Sequence, residues 1–206
     1  MGSRDIILES VKRNRPAAAE LPLFEGHTWT TYPDPRAKFI EVLELVGGKI
    51  IVARDTRDLN DQIRQLPQVT TAQKIASLVP TIDFGNVDLA AFDSPHALAD
   101  VDVAILPGEF AVAENAAVWV TDQAVPLRVI YFLCQHLVLV VKSDQMVDHM
   151  HAAYERIGAN RAAGGFETPM FGAFISGPSK TADIEQSLVI GAHGPRSLTV
   201  CFLENC

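Results

Sequence analysis

Cysteine is scarce in this sequence, and its spacing does not fit the sites that cysteine usually builds. The three cysteines in 206 residues are Cys134, Cys201 and Cys206, and no two of them form a C-x-x-C pair. A zinc or iron–sulfur site held by cysteines is therefore not expected, and we predict no metal ligands and no cofactor in this chain. A sparse, odd cysteine count is typical of a reducing compartment rather than of a disulfide framework.

Excess positive charge and long apolar runs are also missing. The net charge is −8 at pH 7, so the chain lacks the basic face that nucleic-acid binding needs and is not suited to docking on anionic membranes. The most apolar run, residues 129–141, is interrupted by Gln135 and His136 and is too short to cross a bilayer. The N-terminus shows no signal-peptide core. These absences predict a soluble, cytoplasmic protein.

The common nucleotide-binding fingerprints are absent as well. No G-x-G-x-x-G occurs, so a dinucleotide site has no support. The nearest approach to a P-loop runs from Gly177 to Thr181. There Ser179 stands where the P-loop requires glycine before its lysine, and Pro178 removes a backbone donor.

What the sequence does contain is an alternation of helical and strand-like segments. Asp34 is a good helix N-cap, Pro35 suits the first turn, and Gly47 and Gly48 can end the helix. Strand-like runs share alternating or continuous apolar residues: 49–53, 101–105, 110–113, 117–120 and 137–141. This order predicts an α/β fold with a mostly parallel open sheet flanked by helices.

The two ends of the chain extend this plan. Residues 1–33 are predicted to form an N-terminal helical arm, capped by Ser3, and an irregular segment, while residues 34–206 form a single domain. Towards the C-terminus we predict a helix capped by Asp144 and a strand over 171–175. Strand, turn, helix and strand then complete the sheet.

The turn after the strand at 171–175 concentrates polar groups. We predict a helix starting near Thr181, whose free N–H groups would face an anion beyond the carboxyl end of a parallel strand. Ordinary capping of that helix by serine and threonine explains the same residues, so both interpretations stay open. The predicted ligand-binding residues are Ser176, Gly177, Pro178, Ser179, Lys180, Thr181, Asp183, Glu185 and Gly194.

Histidines offer further candidate site residues. His193 lies in a Gly-x-His-Gly-Pro turn, ten residues after Asp183. His149 and His151 are two apart on a predicted helix and do not share a face, so we interpret them as a solvated helix surface rather than as metal ligands.

Two segments together resemble a known family. GPSKTADIE (Gly177–Glu185) and GAHGP (Gly191–Pro195) are similar to the C-terminal signature of the LUD-domain family, in its lactate utilization protein C group. The resemblance implies a NagB/RpiA/CoA-transferase-like fold. It also implies a subunit that takes part in oxidising L-lactate to pyruvate beside iron–sulfur partner proteins, which alone would hold the redox clusters.

The same resemblance implies an alternative function. CoA transferases of that fold class attack an acyl-CoA with a glutamate in a Glu-Asn-Gly context, and Glu114-Asn115-Ala116 is similar except for Ala116. The candidate catalytic residues are therefore Glu114 and His193. The alternative is a stand-alone transferase or isomerase acting on a CoA ester or a phosphorylated small molecule. A third hypothesis is an interaction module. The sequence leaves open whether the chain is an enzyme, what it binds and whether it forms a homo-oligomer.

Overall fold

The computed structural model describes residues 2–20, 26–92, 94–162, 171–182 and 188–205. Its helices are α1 (Ser3–Arg13), α2 (Pro35–Leu45), α3 (Thr56–Arg64), α4 (Pro67–Thr70), α5 (Ile130–Leu133) and α6 (Met150–Ala162). Its strands are β1 (Lys49–Ala53), β2 (Ile75–Ser77), β3 (Val103–Pro107), β4 (Phe110–Val112), β5 (Ala117–Thr121), β6 (His136–Lys142), β7 (Met146–Val147), β8 (Gly172–Ile175), β9 (Lys180–Ala182), β10 (Leu188–Ile190) and β11 (Ser197–Leu203).

A five-stranded parallel sheet forms the centre, in the order β1-β11-β6-β3-β2. The strands β6 and β11 lie in its interior and are buried on both faces over most of their length, as expected for strands covered on both sides. The predicted α/β fold with a mostly parallel sheet is confirmed, and so is the helix that Asp34 begins. The Asp34 carboxylate accepts a hydrogen bond of 2.9 Å from the Ala37 N–H.

Each face of the sheet has its own core. Phe39 and Leu43 of α2 pack on one face together with residues of α5 and of a second sheet. Leu59 and Ile63 of α3 pack on the opposite face, where α4 completes the cover. The molecule is therefore layered, and the sheet separates two groups of buried apolar side chains.

The second sheet corrects one prediction. It has four strands in the order β7-β4-β5-β8, and β8 pairs antiparallel with β5, with Phe174 opposite Trp119. The strand predicted at 171–175 therefore exists but does not belong to the parallel sheet. Its few apolar residues carry no periodicity that could assign it to one sheet rather than another. Gly172 suits this position because a Cβ there would lie 2.2 Å from the Trp119 ring.

The helix predicted from Asp144 begins later than expected. Met146 and Val147 form strand β7 beside β4, and α6 starts at Met150. Gly158 lies within this helix, which continues to Ala162. Pairing with the β4 backbone overrides the helical spacing of residues 146 and 147, which the sequence pattern alone favoured.

The N-terminal arm contains a helix, as predicted, but its cap differs. The N-cap of α1 is Gly2, one residue earlier than the predicted Ser3, and the Gly2 N–H donates to the Asp5 carboxylate at 3.0 Å. No residue of α1 is buried. Within the part of the chain that the structure describes, none of the helices has both the length and the apolar character needed to span a bilayer.

Candidate functional site

The polar turn at 176–181 leads into a β-hairpin, not into a helix. Strands β9 and β10 pair antiparallel, with Thr181 opposite Val189 and Lys180 opposite Ile190. Thr181, Val189 and Ile190 are β-branched and favour extended backbone, and pairing satisfies N–H groups that a helix N-terminus would have left free. The predicted helix start at Thr181 is therefore wrong, and helix N–H groups do not contribute to the turn.

The turn itself is held by one glycine and one side chain. Gly177 has a φ of +72°, in the left-handed region, and a Cβ there would lie 3.0 Å from the Val46 carbonyl oxygen at the end of α2. The Ser176 hydroxyl donates a hydrogen bond of 2.6 Å to the Asn115 carbonyl. The hydroxyl of Ser176 thus anchors the turn to the β4–β5 connection.

A second turn, residues 191–195, closes against the first. The Ser179 N–H donates to the Pro195 carbonyl at 2.9 Å, and the Gly191 N–H donates to the Ser179 carbonyl at 2.9 Å. A Cβ on Gly194 would lie 3.0 Å from the Ser179 Cβ, so glycine allows the close approach. The two turns of the C-terminal signature are thereby joined into one structure.

Together these turns line a pocket of about 310 Å³. The polar groups at its wall include the exposed side chains of Ser176, Lys180 and His193. Its lining residues are Tyr131, Phe132, Leu137, Phe174, Ile175, Ser176, Gly177, Pro178, Ser179, Lys180, His193, Gly194, Pro195 and Leu198. An apolar interior with a few convergent polar groups is typical of a small-molecule site.

The position of this pocket in the fold differs from the prediction. Leu137 and Leu198 are the second residues of β6 and β11, so the pocket adjoins the amino ends of the parallel strands. If residues 171–175 formed a parallel strand, the turn would lie beyond the carboxyl ends, as predicted. In the structure β8 belongs to the antiparallel sheet instead.

Lys180 supplies a positive charge at the turn. A Cβ placed on Gly47 would lie 3.9 Å from the Lys180 Nζ, so the ammonium group sits beside the C-terminal end of α2. The partial negative charge of that helix end favours a cation there. The side chain is exposed at the rim of the pocket and can also meet an anionic ligand.

Glu114 is not among the described residues that line the pocket. Its Oε1 accepts a hydrogen bond of 3.0 Å from the Met150 N–H, in the first turn of α6. A carboxylate at a helix N-terminus is a stabilising arrangement. The neighbouring Asn115 Oδ1 accepts from the Ala117 N–H at 3.2 Å, and Ala116 adopts a φ of +52°.

The remaining predicted site residues divide into two groups. Thr181 follows Lys180 in β9 and is half-buried. Asp183 and Glu185 lie outside the described residues. His193 and Gly194 do lie beside the turn at 176–181, because they line the same pocket.

Several pocket residues were missed by the sequence argument. Phe132 and Phe174 line the pocket, and so does Tyr131, whose hydroxyl donates to the Thr121 carbonyl at 3.1 Å. Burial raises the pKa of Tyr131. In the sequence these aromatic residues are indistinguishable from ordinary core residues, and their spacing does not indicate that they lie near residues 176–181.

His151 of α6 is exposed and His149, just before the helix, is half-buried, in keeping with the predicted helix surface, but both also have local contacts. The Trp29 ring stacks on His151, with ring centroids 3.4 Å apart, and also lies 5.9 Å from the His27 ring. The His149 Nδ1 accepts a hydrogen bond from the Ala152 N–H at 3.1 Å. Among the described residues, no group of three or more histidine, cysteine or acidic side chains is arranged to hold a metal ion.

A larger groove of about 520 Å³ follows residues 77–87 at the outer edge of β2. Its charged lining residue is Asp83, which forms an ion pair of 2.7 Å with Arg64. Because that charge is already paired, the pocket beside Lys180 and His193 is the better candidate site.

Comparisons with known proteins show the family to which this chain is related. A family model described as the LUD domain matches residues 36–203. Lactate utilization protein C of Shouchella clausii is 32% identical over 163 residues, which cover 79% of this chain and 65% of that protein. Lactate utilization protein C of Geobacillus kaustophilus is 30% identical over 154 residues, which cover 72% of this chain and 60% of that protein. The chain thus spans less than two thirds of either relative.

A solved structure supports the fold. The crystal structure of a DUF162 family protein from Deinococcus radiodurans superimposes with a TM-score of 0.57 and 16% sequence identity. The match covers 82% of this chain and 96% of that protein. At this identity the likeness concerns the arrangement of helices and strands.

Proposed function

Because this chain belongs to the LUD domain family, we propose that it is a subunit of an L-lactate utilization system and binds a small organic anion in the pocket beside Lys180 and His193. The printed names of the relatives support the role in lactate utilization. The observation that carries the binding site is the joining of residues 176–181 and 191–195 into one pocket with both side chains at its wall.

The pocket chemistry suits a carboxylate. The Lys180 ammonium supplies a positive charge, and the hydroxyl of Ser179 and the imidazole of His193 supply groups that can hydrogen-bond a carboxylate or hydroxyl oxygen. The apolar wall formed by Phe132 and Phe174 excludes water from one side of the ligand. An anion held there loses less binding energy to solvent screening than one on an open surface.

In this proposal, the electrons released by lactate oxidation pass to iron–sulfur partner proteins. Oxidation of lactate to pyruvate releases two electrons and two protons, which need an acceptor. Cys134 and Cys201 are buried in the cores on opposite faces of the central sheet. These two cysteines therefore cannot converge on one cluster, and we place the clusters in the partners.

Growth on L-lactate tests this role. A strain that lacks the gene, and has no other lactate-oxidising enzyme, should fail to grow on L-lactate and recover when the wild-type gene is restored. Restoration with Lys180→Met or His193→Ala should give slower growth. Lys142→Ala is the matched control, because Lys142 is exposed at the opposite end of β6. Normal growth of the deletion strain would refute the proposal.

Calorimetry with purified protein separates binding from assembly. L-lactate and pyruvate are titrated separately into the wild type and into Lys180→Met, which keeps most of the length of the side chain but removes its charge. Binding that weakens about tenfold in the variant corresponds to the loss of one charged hydrogen bond. Absence of binding to both acids, in a protein that still supports growth on L-lactate, would leave the system role but remove the anion site.

The alternative of a stand-alone transferase or isomerase depends on a free Glu114. The hydrogen bond from the Met150 N–H engages that carboxylate in the first turn of α6, so the geometry favours a structural role for Glu114. The alternative predicts turnover of a CoA ester or a phosphorylated small molecule by the purified chain, abolished in Glu114→Gln. Such turnover would support the transferase or isomerase alternative and refute the role in lactate utilization proposed above.

A further inference from the structure

The lining of the pocket beside Lys180 and His193 divides into a polar part and an apolar part. The polar side chains belong to the two turns, residues 176–181 and 191–195. The apolar part comes from α5 and from strands β6, β8 and β11, and its residues are Tyr131, Phe132, Leu137, Phe174, Ile175 and Leu198. A ligand that fills both parts is polar at one end and apolar at the other.

Hydrogen bonds within the protein sharpen this division. The Tyr131 side chain is buried, and its hydroxyl donates to the Thr121 carbonyl at 3.1 Å instead of meeting a ligand. The Ser176 hydroxyl is likewise engaged by the Asn115 carbonyl. The side chains of Ser179, Lys180 and His193 can then bind the ligand, and all three belong to the turns.

The pocket is larger than lactate requires. Its volume is about 310 Å³, which lies within the range of about 300–1,000 Å³ of pockets that bury drug-sized ligands. Lactate has six non-hydrogen atoms, and a methyl group is its only apolar substituent. Lactate held by its carboxylate would therefore leave most of the apolar part in contact with water, which is unfavourable.

Two aromatic rings of the apolar part are held by rings outside the pocket. Phe132 is 39% exposed, and its ring meets the Phe171 ring edge to face, with centroids 6.0 Å apart. The Phe174 ring lies 4.6 Å from the Trp119 ring. Rings that are already held lose little freedom when a ligand binds, so this wall is preorganised for apolar contact.

We propose that the pocket selects a 2-hydroxy or 2-oxo acid whose side chain is aromatic or branched, and so larger than the methyl group of lactate. This inference rests on the anion site proposed above. Lys180 would bind the carboxylate, and Ser179 and His193 would bind the neighbouring oxygen. The side chain of the ligand would cover Phe132, which makes Phe132 the residue that distinguishes the larger acid from lactate.

Calorimetric titration of the purified chain compares L-lactate with L-3-phenyllactate, which has the same carboxylate and hydroxyl groups. Phenyllactate should bind about tenfold more tightly or better, because its ring leaves water for the apolar part of the pocket. The alcohol 2-phenylethanol has the ring without the carboxylate and should bind more weakly than phenyllactate. Lys180→Met should weaken both acids by a similar factor.

Phe132→Ala tests the contact with the ligand side chain. It should weaken phenyllactate about tenfold and lactate little, while Phe132→Leu, which keeps an apolar side chain, should have an intermediate effect. Phe84→Ala is the matched control, because it makes the same truncation in the groove along residues 77–87. It should leave both affinities unchanged. Thermal unfolding checks that each variant remains folded.

The possible outcomes separate this inference from the proposed function. Lactate that binds as tightly as phenyllactate would overturn the inference and leave the anion site in place. An equal loss of affinity for both acids in Phe132→Ala would do the same. Binding of neither acid would remove the anion site together with the inference. Growth of the deletion strain on L-lactate measures the role in lactate utilization independently of these titrations.

Discussion

Replacing Gly177 with alanine tests the geometry that holds the pocket turn against α2. Gly177 is buried and has a φ of +72°, where alanine is disfavoured by contact of its Cβ with the backbone. That Cβ would also lie 3.0 Å from both the Val46 Cγ2 and the Val46 carbonyl oxygen. The turn, the end of α2 or both must shift to accept it.

The cost of Gly177→Ala follows from these two effects. The left-handed backbone costs alanine roughly 1–2 kcal/mol, and a tight contact in a packed region costs about 1–3 kcal/mol. Alanine also restricts the unfolded chain, which offsets about 0.4–1 kcal/mol. The net loss in the free energy of unfolding is about 1–4.5 kcal/mol, and a chain of this size then loses roughly 2–18 °C in Tm.

Gly158→Ala is the matched control for this measurement. Gly158 lies within α6, and a Cβ there would meet nothing within 4 Å. Alanine in a helix is favoured over glycine by about 0.5–1 kcal/mol, so this variant should melt at a slightly higher temperature than the wild type. Calorimetric melting and urea unfolding are measured for both variants. A Gly177→Ala protein as stable as the wild type would refute the described turn.

Three other outcomes follow from contacts in the structure. Glu114→Ala should lower the free energy of unfolding by about 1–2 kcal/mol, because it removes the acceptor for the Met150 N–H at the start of α6. Glu114→Gln should lower it less. Equal urea midpoints for the wild type and both variants would contradict the capping role. Burial raises the pKa of Cys134 to about 12 and also raises the pKa of Cys201. Neither thiol should therefore react with a maleimide or disulfide reagent at pH 8 until the chain unfolds. Rapid labelling of either thiol in the native protein would contradict its placement in the core. Burial lowers the pKa of His136 in the folded chain below its ordinary value of 6.5, so the unfolded chain binds the proton first as the pH falls. The free energy of unfolding should therefore fall below that pH, and it should fall less in His136→Gln. Identical pH profiles of the two proteins in urea unfolding would exclude this contribution.

The parallel sheet could be predicted because its strands carry a strong local signal. Residues 137–141 are apolar without interruption, and the structure buries all of them in β6. The same holds for the helix between Asp34 and Gly47, where the cap, the proline and the glycine pair each act within a few residues. Short-range chemistry decides such elements, so the sequence alone is enough.

Weaker elements could not be assigned in this way. The strand β8 has four residues, and its partner β5 lies more than fifty positions earlier in the chain. Likewise, the sequence predicts a helix that starts near Thr181, but antiparallel pairing makes residues 180–182 and 188–190 a hairpin. Contacts between residues that are distant in sequence decided both, and no local pattern records them.

The candidate site likewise combines features set by local sequence with features set by contacts between distant residues. The sequence by itself determined that residues 176–181 and 191–195 are the distinctive polar segments, because the identity of the side chains is what marks them and their family. Only the tertiary structure decided that Lys180 and His193 share a pocket, that Phe132 and Phe174 line it, and that Glu114 caps α6 instead. A pocket depends on which surfaces meet after the sheets have packed, and that meeting is a property of the whole fold.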